Sequence, residues 1–352
     1  LFWLAYNAGK KGITLDLESA RGAEIFRALV KGSHFLVESF PPGHLDRLGL
    51  GYPSLSKLNP GLIMASVTPF GQEGPYSGYK GSDLTAMAMG GMAYLIGDPE
   101  GAPLRISVPQ AYFHGSAHAC VAMMIAHFFR ERTGKGQYLD VSTHECVTRL
   151  RYWELRWWEY EKVVTRRGGS SSRSFTPFPQ RQVWPCKDGY VGFRVAGGAT
   201  GRGLTPLVKW MDEEGMAGPL KEIKDWSQVD IASITPEENR RREEVFGRFL
   251  LTHTKEELRR EAVKRRFHLM PVNSSQDVAH DRQLKARGFW HEVAYPELGV
   301  SLTHPGSPFR FNGRPLGPSR RAPLMGEHNG EIYGELGLTE HDLDALKGQG
   351  VV

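Results

Sequence analysis

The feature that most restricts the fold is a pair of short, continuously apolar runs, each followed by a loop rich in proline and glycine. The first run, Phe35–Val37, ends at Glu38 and is broken by Pro41–Gly43. The second run, Leu62–Val67, is followed by a Pro/Gly loop that spans residues 69–78. Such runs are typical of strands that are buried on both faces of a sheet.

Helical patterns alternate with these runs. An apolar-periodic segment from Ala23 to Val30 follows Ser19, a good N-cap, and precedes Gly32, a good helix stop. Tyr138–Ser142 is a further predicted strand. The alternation predicts an α/β fold with a parallel sheet. Since ligands of such sheets bind at the carboxyl ends of the strands, we expect a ligand at the loops 39–43 and 68–81.

A long helix is predicted from Ala111 to Arg132, ending at Gly134. Its apolar side chains run nearly all round, which predicts a central buried helix. A second helix, rich in tryptophan and charge, is predicted from Thr148 to Val164.

The composition changes after this point, where the chain is long enough for a second lobe. Gly168–Ser172 is predicted to be a flexible loop, and Gln182–Phe193 a hairpin with its turn at Asp188-Gly189. Amphipathic helices are predicted between residues 204 and 266. We therefore place a smaller α/β lobe at about residues 180–290.

Composition and charge exclude several classes of protein. The net charge is +5 and no dense basic stripe is interleaved with aromatic residues, so no nucleic-acid partner is predicted. No segment is long enough to span a membrane. The cysteines Cys120, Cys146 and Cys186 are not closely spaced, which argues against disulfides and a zinc ribbon. We expect a cytoplasmic protein.

Candidate motifs taken singly are weak. His114 and His118 would share one helix face, but no third ligand is near, so packing histidines are favoured over a metal site. Gly197–Gly201 lacks the lysine and hydroxyl residue of a phosphate loop. His144-Glu145 follows a predicted strand, where a catalytic pair and a solvated strand end are equally plausible.

Several segments, read in order along nearly the whole chain, resemble family III CoA-transferases, the group of formyl-CoA transferase, carnitine CoA-transferase and methylacyl-CoA racemase. The segments that carry the resemblance are Asn7–Leu17, Leu36–Gly43, Arg47–Tyr52, Asn59–Ile63, Phe70–Tyr76, Arg132–Gln137 and Pro323–His328. The last of these is similar to the family's "PLLGEH" segment.

The resemblance implies a Rossmann-like large domain at residues 1–175, the small domain at 180–290, and a C-terminal return to the large domain at 291–352. It also implies two subunits that thread through one another as an interlocked homodimer or heterodimer. The family's first strand and helix precede the segment that begins at Asn7, so the resemblance implies that this sequence is part of a longer or fused protein.

By resemblance, coenzyme A or its thioester is the ligand of the strand-end loops. The positions that match the family's CoA contacts are Leu15, Phe40, Gly43, His44, Arg47 and Lys80. Arg47 and Lys80 are suited to the ADP phosphates. Pro41 and Thr68 stand where many members have a basic residue, so the anion site is predicted to be weaker than usual.

The family's nucleophile is an aspartate in a "V-P-x-A-D" segment at the start of the long helix, where it forms a mixed anhydride and then a thioester with CoA. The matching segment here is Val108–Tyr112, so Tyr112 occupies the aspartate position. A phenol is neutral near pH 7 and cannot form that anhydride. Glu145 or Asp83 is a possible displaced carboxylate. The racemase branch also uses a "G-H-D" segment, which reads Gly81-Ser82-Asp83 here, so the racemase interpretation is disfavoured.

Three hypotheses follow. The chain is a CoA-transferase, or a subunit or domain of one, acting on a CoA thioester and a carboxylic acid; or it is a silent partner that supports an aspartate-bearing sister chain; or it is an acyl-CoA binding module. By resemblance, Gly168–Ser172 corresponds to the family's glycine loop over the active site, and no metal is expected.

Overall fold

The chain folds into two compact units in a computed structural model that describes residues 2–172 and 178–352. The first unit contains residues 1–90, 109–150 and 277–352, and the second contains residues 91–108 and 151–276. The boundary at residue 175 predicted from the sequence lies outside the described residues. The predicted domain limits stay a prediction.

Helices and strands alternate through the first 150 residues. In chain order they are α1 (Phe2–Tyr6), α2 (Ala20–Lys31), β1 (Phe35–Glu38), α3 (His44–Arg47), α4 (Tyr52–Leu58), β2 (Ile63–Thr68), α5 (Asp83–Met89), α6 (Met92–Leu95), α7 (Ala111–Thr133), β3 (Tyr138–Ser142) and α8 (Thr143–Arg149).

A parallel sheet of order β1-β2-β3 organises the first unit. Leu36 of β1 packs with the helices α2 and α4 in one apolar cluster. Its neighbour Phe35 lies against Arg130 of α7, and alternate residues of a strand point to opposite faces. Helices therefore cover both faces, as the predicted α/β class requires, and the predicted strands and the helix between Ser19 and Gly32 are confirmed.

The long helix α7 differs from the prediction of a central buried helix. The residues that it buries are small: Ala111, Gly115, Ala119 and Ala126. A Cβ on Gly115 would lie 2.4 Å from Cγ2 of Thr143, so the helix packs here through bare backbone. The large apolar side chains point away, and four of them are more than half exposed: Val121, Met124, Ile125 and Phe128. Apolar residues all round a helix thus did not mean burial within this chain.

The second unit contains most elements of the middle of the chain. After α6, which belongs to it, they are α9 (Tyr152–Glu161), β4 (Ser171–Ser172), β5 (Gln180–Arg181), β6 (Val183–Cys186), β7 (Gly189–Phe193), α10 (Gly198–Gly201), α11 (Leu204–Glu213), α12 (Pro236–Leu251), α13 (Lys255–Arg265) and β8 (Leu269–Pro271).

Two local predictions in this part of the chain need correction. The helix predicted from Thr148 to Val164 is interrupted, because α8 ends at Arg149 and α9 begins at Tyr152. The first of these helices starts directly after β3, where Oγ of Ser142 accepts a hydrogen bond from the amide of Glu145. The predicted hairpin forms from β6 and β7, but Cys186 pairs with Gly189, so its turn is one residue earlier than expected.

Aromatic side chains fill the core of the second unit. Trp184 and Trp226 are fully buried beside Phe246 and Phe249, and α11, α12 and α13 pack on an antiparallel sheet of order β6-β7-β8. This arrangement is the smaller α/β lobe that the sequence predicts.

The C-terminal part of the chain belongs mainly to the first unit. It contains α14 (Ser275–Ala279), α15 (Arg282–Ala286), β9 (Trp290–Tyr295), β10 (Val300–Pro305), β11 (Arg310–Phe311), β12 (Arg314–Pro315), α16 (Asn329–Gly334) and α17 (Glu340–Gly348). Tyr333, Leu343 and Leu346 pack against Ile25 of α2. The side-chain amide of Asn329 donates to Oγ1 of Thr14 at 2.9 Å, which ties α16 to the N-terminal segment.

Within residues 2–172 and 178–352, no helix is both long and apolar enough to cross a membrane.

Candidate active site

The two loops predicted to face a ligand meet at one cavity in the first unit. Its volume is about 340 Å³, and the strand residues that line it are Glu38 at the carboxyl end of β1, Met64 and Ser66 of β2, and Tyr138 at the start of β3. The first loop contributes Pro41 and Gly43, and the second contributes Gln72 and Glu73. The strand-end argument from the sequence therefore gives the right place for a cavity.

Two of the residues assigned to CoA by resemblance, Gly43 and His44, line this cavity, and a third, Phe40, stacks on His44. Gly43 has φ +74° and precedes α3, a conformation that favours glycine. The rings of Phe40 and His44 stack with their centroids 4.8 Å apart. The backbone amide of Phe40 donates to Oε2 of Glu38 at 2.7 Å, which fixes the start of the loop. An aromatic plate thus borders the cavity and offers a surface for a flat ring.

The cavity floor is formed by residues that the sequence reasoning missed. Tyr138 donates from its hydroxyl to Oγ of Ser66 at 3.0 Å, and its ring lies 5.6 Å from that of Tyr52. Burial raises the pKa of Tyr138, and the carboxylates of Asp140, Glu38 and Asp46 raise it further, while its hydrogen bond with Ser66 acts in the opposite direction. Tyr138 therefore stays a neutral hydrogen-bonding group.

The charge at the cavity is negative. Glu38, Asp46 and Glu73 line it, and no lysine or arginine does so among the described residues. Arg47 ends α3 with its Nη1 close to Gly43, and it forms no ion pair within residues 2–172 and 178–352. A phosphate would therefore be held outside the cavity, near Arg47, rather than within it.

Leu15 and Lys80 are not brought to this cavity. Leu15 packs with Tyr333 and Leu343 in the cluster formed by the C-terminal helices. Lys80 is exposed at the end of the second loop and does not line the cavity. The assignment of all six positions to CoA stays a prediction.

One signal in the sequence could have identified part of the floor. Ser66 is the polar residue within the otherwise apolar run Leu62–Val67, and it is only 1% exposed. A buried hydroxyl needs a hydrogen-bond partner, which Tyr138 provides. No comparable signal singled out Tyr52 or Gln72, because their places depend on contacts between distant parts of the chain.

The first turn of α7 contains Tyr112, the residue that the sequence resemblance aligns with the family's nucleophile. Tyr112 is 45% exposed there. The nearby Asp83, at the start of α5, is only 6% exposed, and its Oδ1 accepts hydrogen bonds from the amides of Ala111 at 2.8 Å and Tyr112 at 3.4 Å. Asp83 thus stabilises the helix end, where a negative charge is favourable.

Glu145 lies in the first turn of α8 and is exposed. Its own backbone amide donates to Oγ of Ser142 at 3.3 Å, so its position after β3 is well defined. The preceding His144 lies beside Phe70, with ring centroids 5.8 Å apart. The pair predicted as a catalytic or solvated group is thus at a strand end, and its carboxylate is open to solvent.

The segment Gly168–Ser172, predicted to be a flexible loop, is held by hydrogen bonds within the second unit. The amide of Gly169 donates to the carbonyl of Gly97 at 2.9 Å. Ser171 and Ser172 pair with Arg181 and Gln180 as β4 and β5. The segment therefore has a defined structure rather than the free loop that its composition suggested.

The histidines His114 and His118 have a local contact only. Nδ1 of His118 lies 2.8 Å from the carbonyl oxygen of His114, as expected for packing histidines on one helix. In the part of the chain that the structure describes, no group of three or more His, Cys, Asp or Glu side chains is placed to hold a metal ion.

Taken together, the first unit offers a cavity for a small ligand beside an aromatic plate, and a helix start without a free carboxylate. The first unit therefore has groups that can bind a small ligand. Covalent chemistry of the anhydride type has no group at residue 112 to perform it.

Comparison with known proteins agrees with the resemblance seen in the sequence. The model of CoA-transferase family III matches residues 1–329. The chain is 38% identical to the succinyl-CoA:(R)-benzylsuccinate CoA-transferase subunit BbsE of Thauera aromatica, over 99% of this chain and 84% of that protein. It is 31% identical to the succinyl-CoA–L-malate CoA-transferase beta subunit of Chloroflexus aurantiacus, over 100% of this chain and 85% of that protein.

Among solved structures, a CAIB/BAIF family protein from Brucella suis matches the fold with a TM-score of 0.76 and 28% sequence identity. The match covers 95% of this chain and 84% of that one. Sequence, family model and fold therefore agree over nearly the whole chain, and the chain belongs to CoA-transferase family III.

Proposed function

We propose that this chain is a non-catalytic subunit of a family III CoA-transferase, and that a second, related chain supplies the nucleophilic carboxylate. The assembled enzyme transfers CoA between a CoA thioester and a carboxylic acid. The observation that carries this proposal is Tyr112 in the first turn of α7, a phenol at the position that the sequence resemblance assigns to the family's aspartate.

Asp83 is a poor replacement for that aspartate. Its Oδ1 already accepts two backbone hydrogen bonds at the end of α7, and the side chain is buried. A nucleophile must approach the thioester carbon closely, and a carboxylate that holds a helix end would have to give up those bonds first. The structure therefore supports a helix-capping role for Asp83.

The exposed apolar face of α7 supports a partner chain. Val121, Met124, Ile125 and Phe128 are more than half exposed on one helix, an apolar patch that monomeric proteins seldom leave in water. We expect a second family III chain to cover this face. The relatives from Thauera and Chloroflexus are each named as a subunit, which suits a partnership between related chains.

The residues proposed to contact CoA fit this role only in part. Gly43 and His44 line the cavity, Phe40 stacks on His44, and Arg47 is close to Gly43, which suits a flat ring inside and a phosphate outside. The carboxylates of Glu38, Asp46 and Glu73 oppose a phosphate inside the cavity. A weak CoA site is consistent with a subunit that no longer performs the transfer.

A reconstitution experiment tests the proposal. The chain is purified alone and together with a family III chain that carries the aspartate of the "V-P-x-A-D" segment, and CoA transfer from succinyl-CoA to (R)-benzylsuccinate or L-malate is measured. Those substrates are taken from the names of the relatives. We expect transfer by the complex and none by this chain alone.

Two matched variants sharpen the result. Tyr112→Phe should leave the activity of the complex within about twofold, whereas replacing the sister chain's aspartate by alanine should abolish it. Transfer by the purified chain alone would contradict the proposal, and its loss in Glu145→Gln would then identify Glu145 as the nucleophile. Binding of CoA with no affinity for any family III chain would instead favour an acyl-CoA binding module.

A further inference from the structure

A second cavity lies within the second unit, about 450 Å³ in volume. Its apolar lining residues include Leu95, Trp157, Val163 and Pro179. Its polar lining residues include Arg166, Arg167 and Thr165, together with Gly168, Gly169, Ser171 and Ser172. A cavity of this size that is lined by apolar side chains and a few polar groups is typical of a small-molecule site.

Arg167 holds the lining segment around it in place through contacts with the turn around residue 98. Its Nε donates to the carbonyl oxygens of Asp98 at 3.1 Å and Gly101 at 3.0 Å, and its guanidinium lies over the ring of Tyr94. Gly169, with φ +57°, lies so close to Asp98 that a Cβ would be 2.6 Å from the Asp98 carboxylate. These contacts join the segment after residue 167 to the turn around residue 98, so the cavity wall is built by the chain itself.

The adjacent Arg166 has a different environment. It lines the cavity, is exposed, and forms no hydrogen bond or ion pair with any residue in the described ranges 2–172 and 178–352. A guanidinium is always charged and matches a carboxylate through two parallel hydrogen bonds. Arg167 thus makes structural contacts, whereas the charge of its neighbour Arg166 is available to a ligand.

The remaining polar groups fit an anionic ligand better than a cationic one. Two guanidinium groups and one carboxylate, Glu154, line the cavity, so its net charge is positive.

We propose that this cavity binds a carboxylic acid with an apolar body, with the carboxylate on Arg166 and the apolar part against Trp157 and Leu95. Arg167 is a positioning residue that fixes the wall. The inference rests on the proposed function, because it makes this ligand the acid that accepts or releases CoA in the assembled enzyme. It assigns to this chain a share in the choice of acid even though the chain lacks the nucleophile.

A binding measurement on the full chain tests it without any CoA. The probe is 3-phenylpropanoate, with 3-phenylpropan-1-ol as the uncharged analogue, and the dissociation constants are measured by isothermal titration calorimetry. Arg166→Gln should weaken binding of the carboxylate about tenfold or more and leave binding of the alcohol unchanged. Arg167→Gln should weaken both, because the wall loses its anchor.

Arg156→Gln is the matched control. Arg156 is an exposed arginine on α9 whose guanidinium lies over Tyr152 and Tyr160, and it does not line the cavity. Its replacement should leave both dissociation constants unchanged. The site is disproved if the wild-type chain does not bind 3-phenylpropanoate, if Arg166→Gln binds it as tightly as the wild type, or if Arg156→Gln weakens binding as much as Arg166→Gln.

These outcomes are separate from those of the reconstitution experiment. Acid binding lost in Arg166→Gln, together with transfer by the chain alone, would keep the cavity and reject the silent subunit. Absence of acid binding in a chain that is inactive alone would reject the cavity and keep the silent subunit.

Discussion

At the scale of single residues, Tyr112 and Asp83 have different roles at the start of α7. Tyr112, which the sequence resemblance aligns with the family's nucleophile, is partly exposed, while the buried carboxylate of Asp83 accepts hydrogen bonds from the amides of Ala111 and Tyr112 at the start of α7. A buried carboxylate thus stabilises this helix end.

The capping role of Asp83 predicts a clear effect on stability. Asp83→Ala should lower the free energy of unfolding by about 1–2 kcal/mol, because two amides at the start of α7 lose their acceptor. Urea denaturation followed by circular dichroism measures it. Asp344→Ala, which removes an exposed aspartate near Lys347, should change stability by less than about 0.5 kcal/mol. Equal effects of the two substitutions would refute the cap.

Glu327 predicts a dependence of stability on pH. Its hydrogen bonds with Arg321, and a further one from the amide of Leu324, lower the pKa of the Glu327 carboxyl to about 2. Since the folded-state pKa lies below the unfolded one, the stabilisation is present above the unfolded value of 4.5 and is lost as pH falls towards 2.

The wild type should therefore exceed Glu327→Gln in stability at pH 6, and the gap should shrink between pH 5 and pH 3. Urea denaturation at each pH provides the comparison. Glu100→Gln, at an exposed position without an ion pair in the described chain, should show no such narrowing. A gap that stays constant over this range would mean that the pair with Arg321 does not set the titration.

How far single residues could be predicted depends on how local their contacts are. As the sequence indicated, α2 begins after Ser19 and ends at Gly32, and α7 ends at Gly134. These caps could be predicted because a cap depends on only a few neighbouring residues. Asp83 meets Ala111 across 28 positions of the chain, and no local pattern shows that contact. The same reason explains why Tyr138 and Tyr52 were missed at the cavity.

At the scale of elements, α7 is the most informative one. The sequence predicted the bounds of this helix well, yet its burial was predicted wrongly. Small residues at 111, 115, 119 and 126 recur at helical spacing and mark the face that packs on the sheet. That stripe was the available signal, and the large apolar residues drew attention away from it.

The exposed face of α7 can be followed through Cys120. This thiol is exposed beside Val121, whereas Cys146 and Cys186 are buried and burial raises the pKa of both thiols. A thiol reagent such as iodoacetamide should therefore modify Cys120 first in the isolated chain. In a complex with an aspartate-bearing family III chain, we expect modification of Cys120 to slow by about tenfold or more, as judged by peptide mass spectrometry.

The variant Ile125→Lys should restore that modification, because it places a charge on the face that the partner covers. An exposed charge change elsewhere, such as Glu340→Lys on α17, should leave the protection intact. If Cys120 reacts at the same rate in the isolated chain and in the active complex, α7 is not the covered face.

At the scale of the whole molecule, the sequence predicted the class and the family, and it left the partner and the substrate open. The parallel sheet follows from apolar runs and loops, and family membership follows from ordered segments along the chain. The acid and the second subunit depend on surfaces whose partners are other molecules. The exposed apolar side chains of α7 are the feature of this chain that the proposed partner would cover.

Trapping of the covalent enzyme intermediate with hydroxylamine shows whether this chain carries a nucleophile of its own. The chain and its aspartate-bearing partner are incubated with succinyl-CoA and hydroxylamine, and the intact mass of each chain is measured. We expect an adduct on the partner's aspartate and an unmodified mass for the chain with Tyr112. A CoA thioester or a hydroxamate on this chain, at Glu145, Asp83 or any other carboxylate, would contradict it.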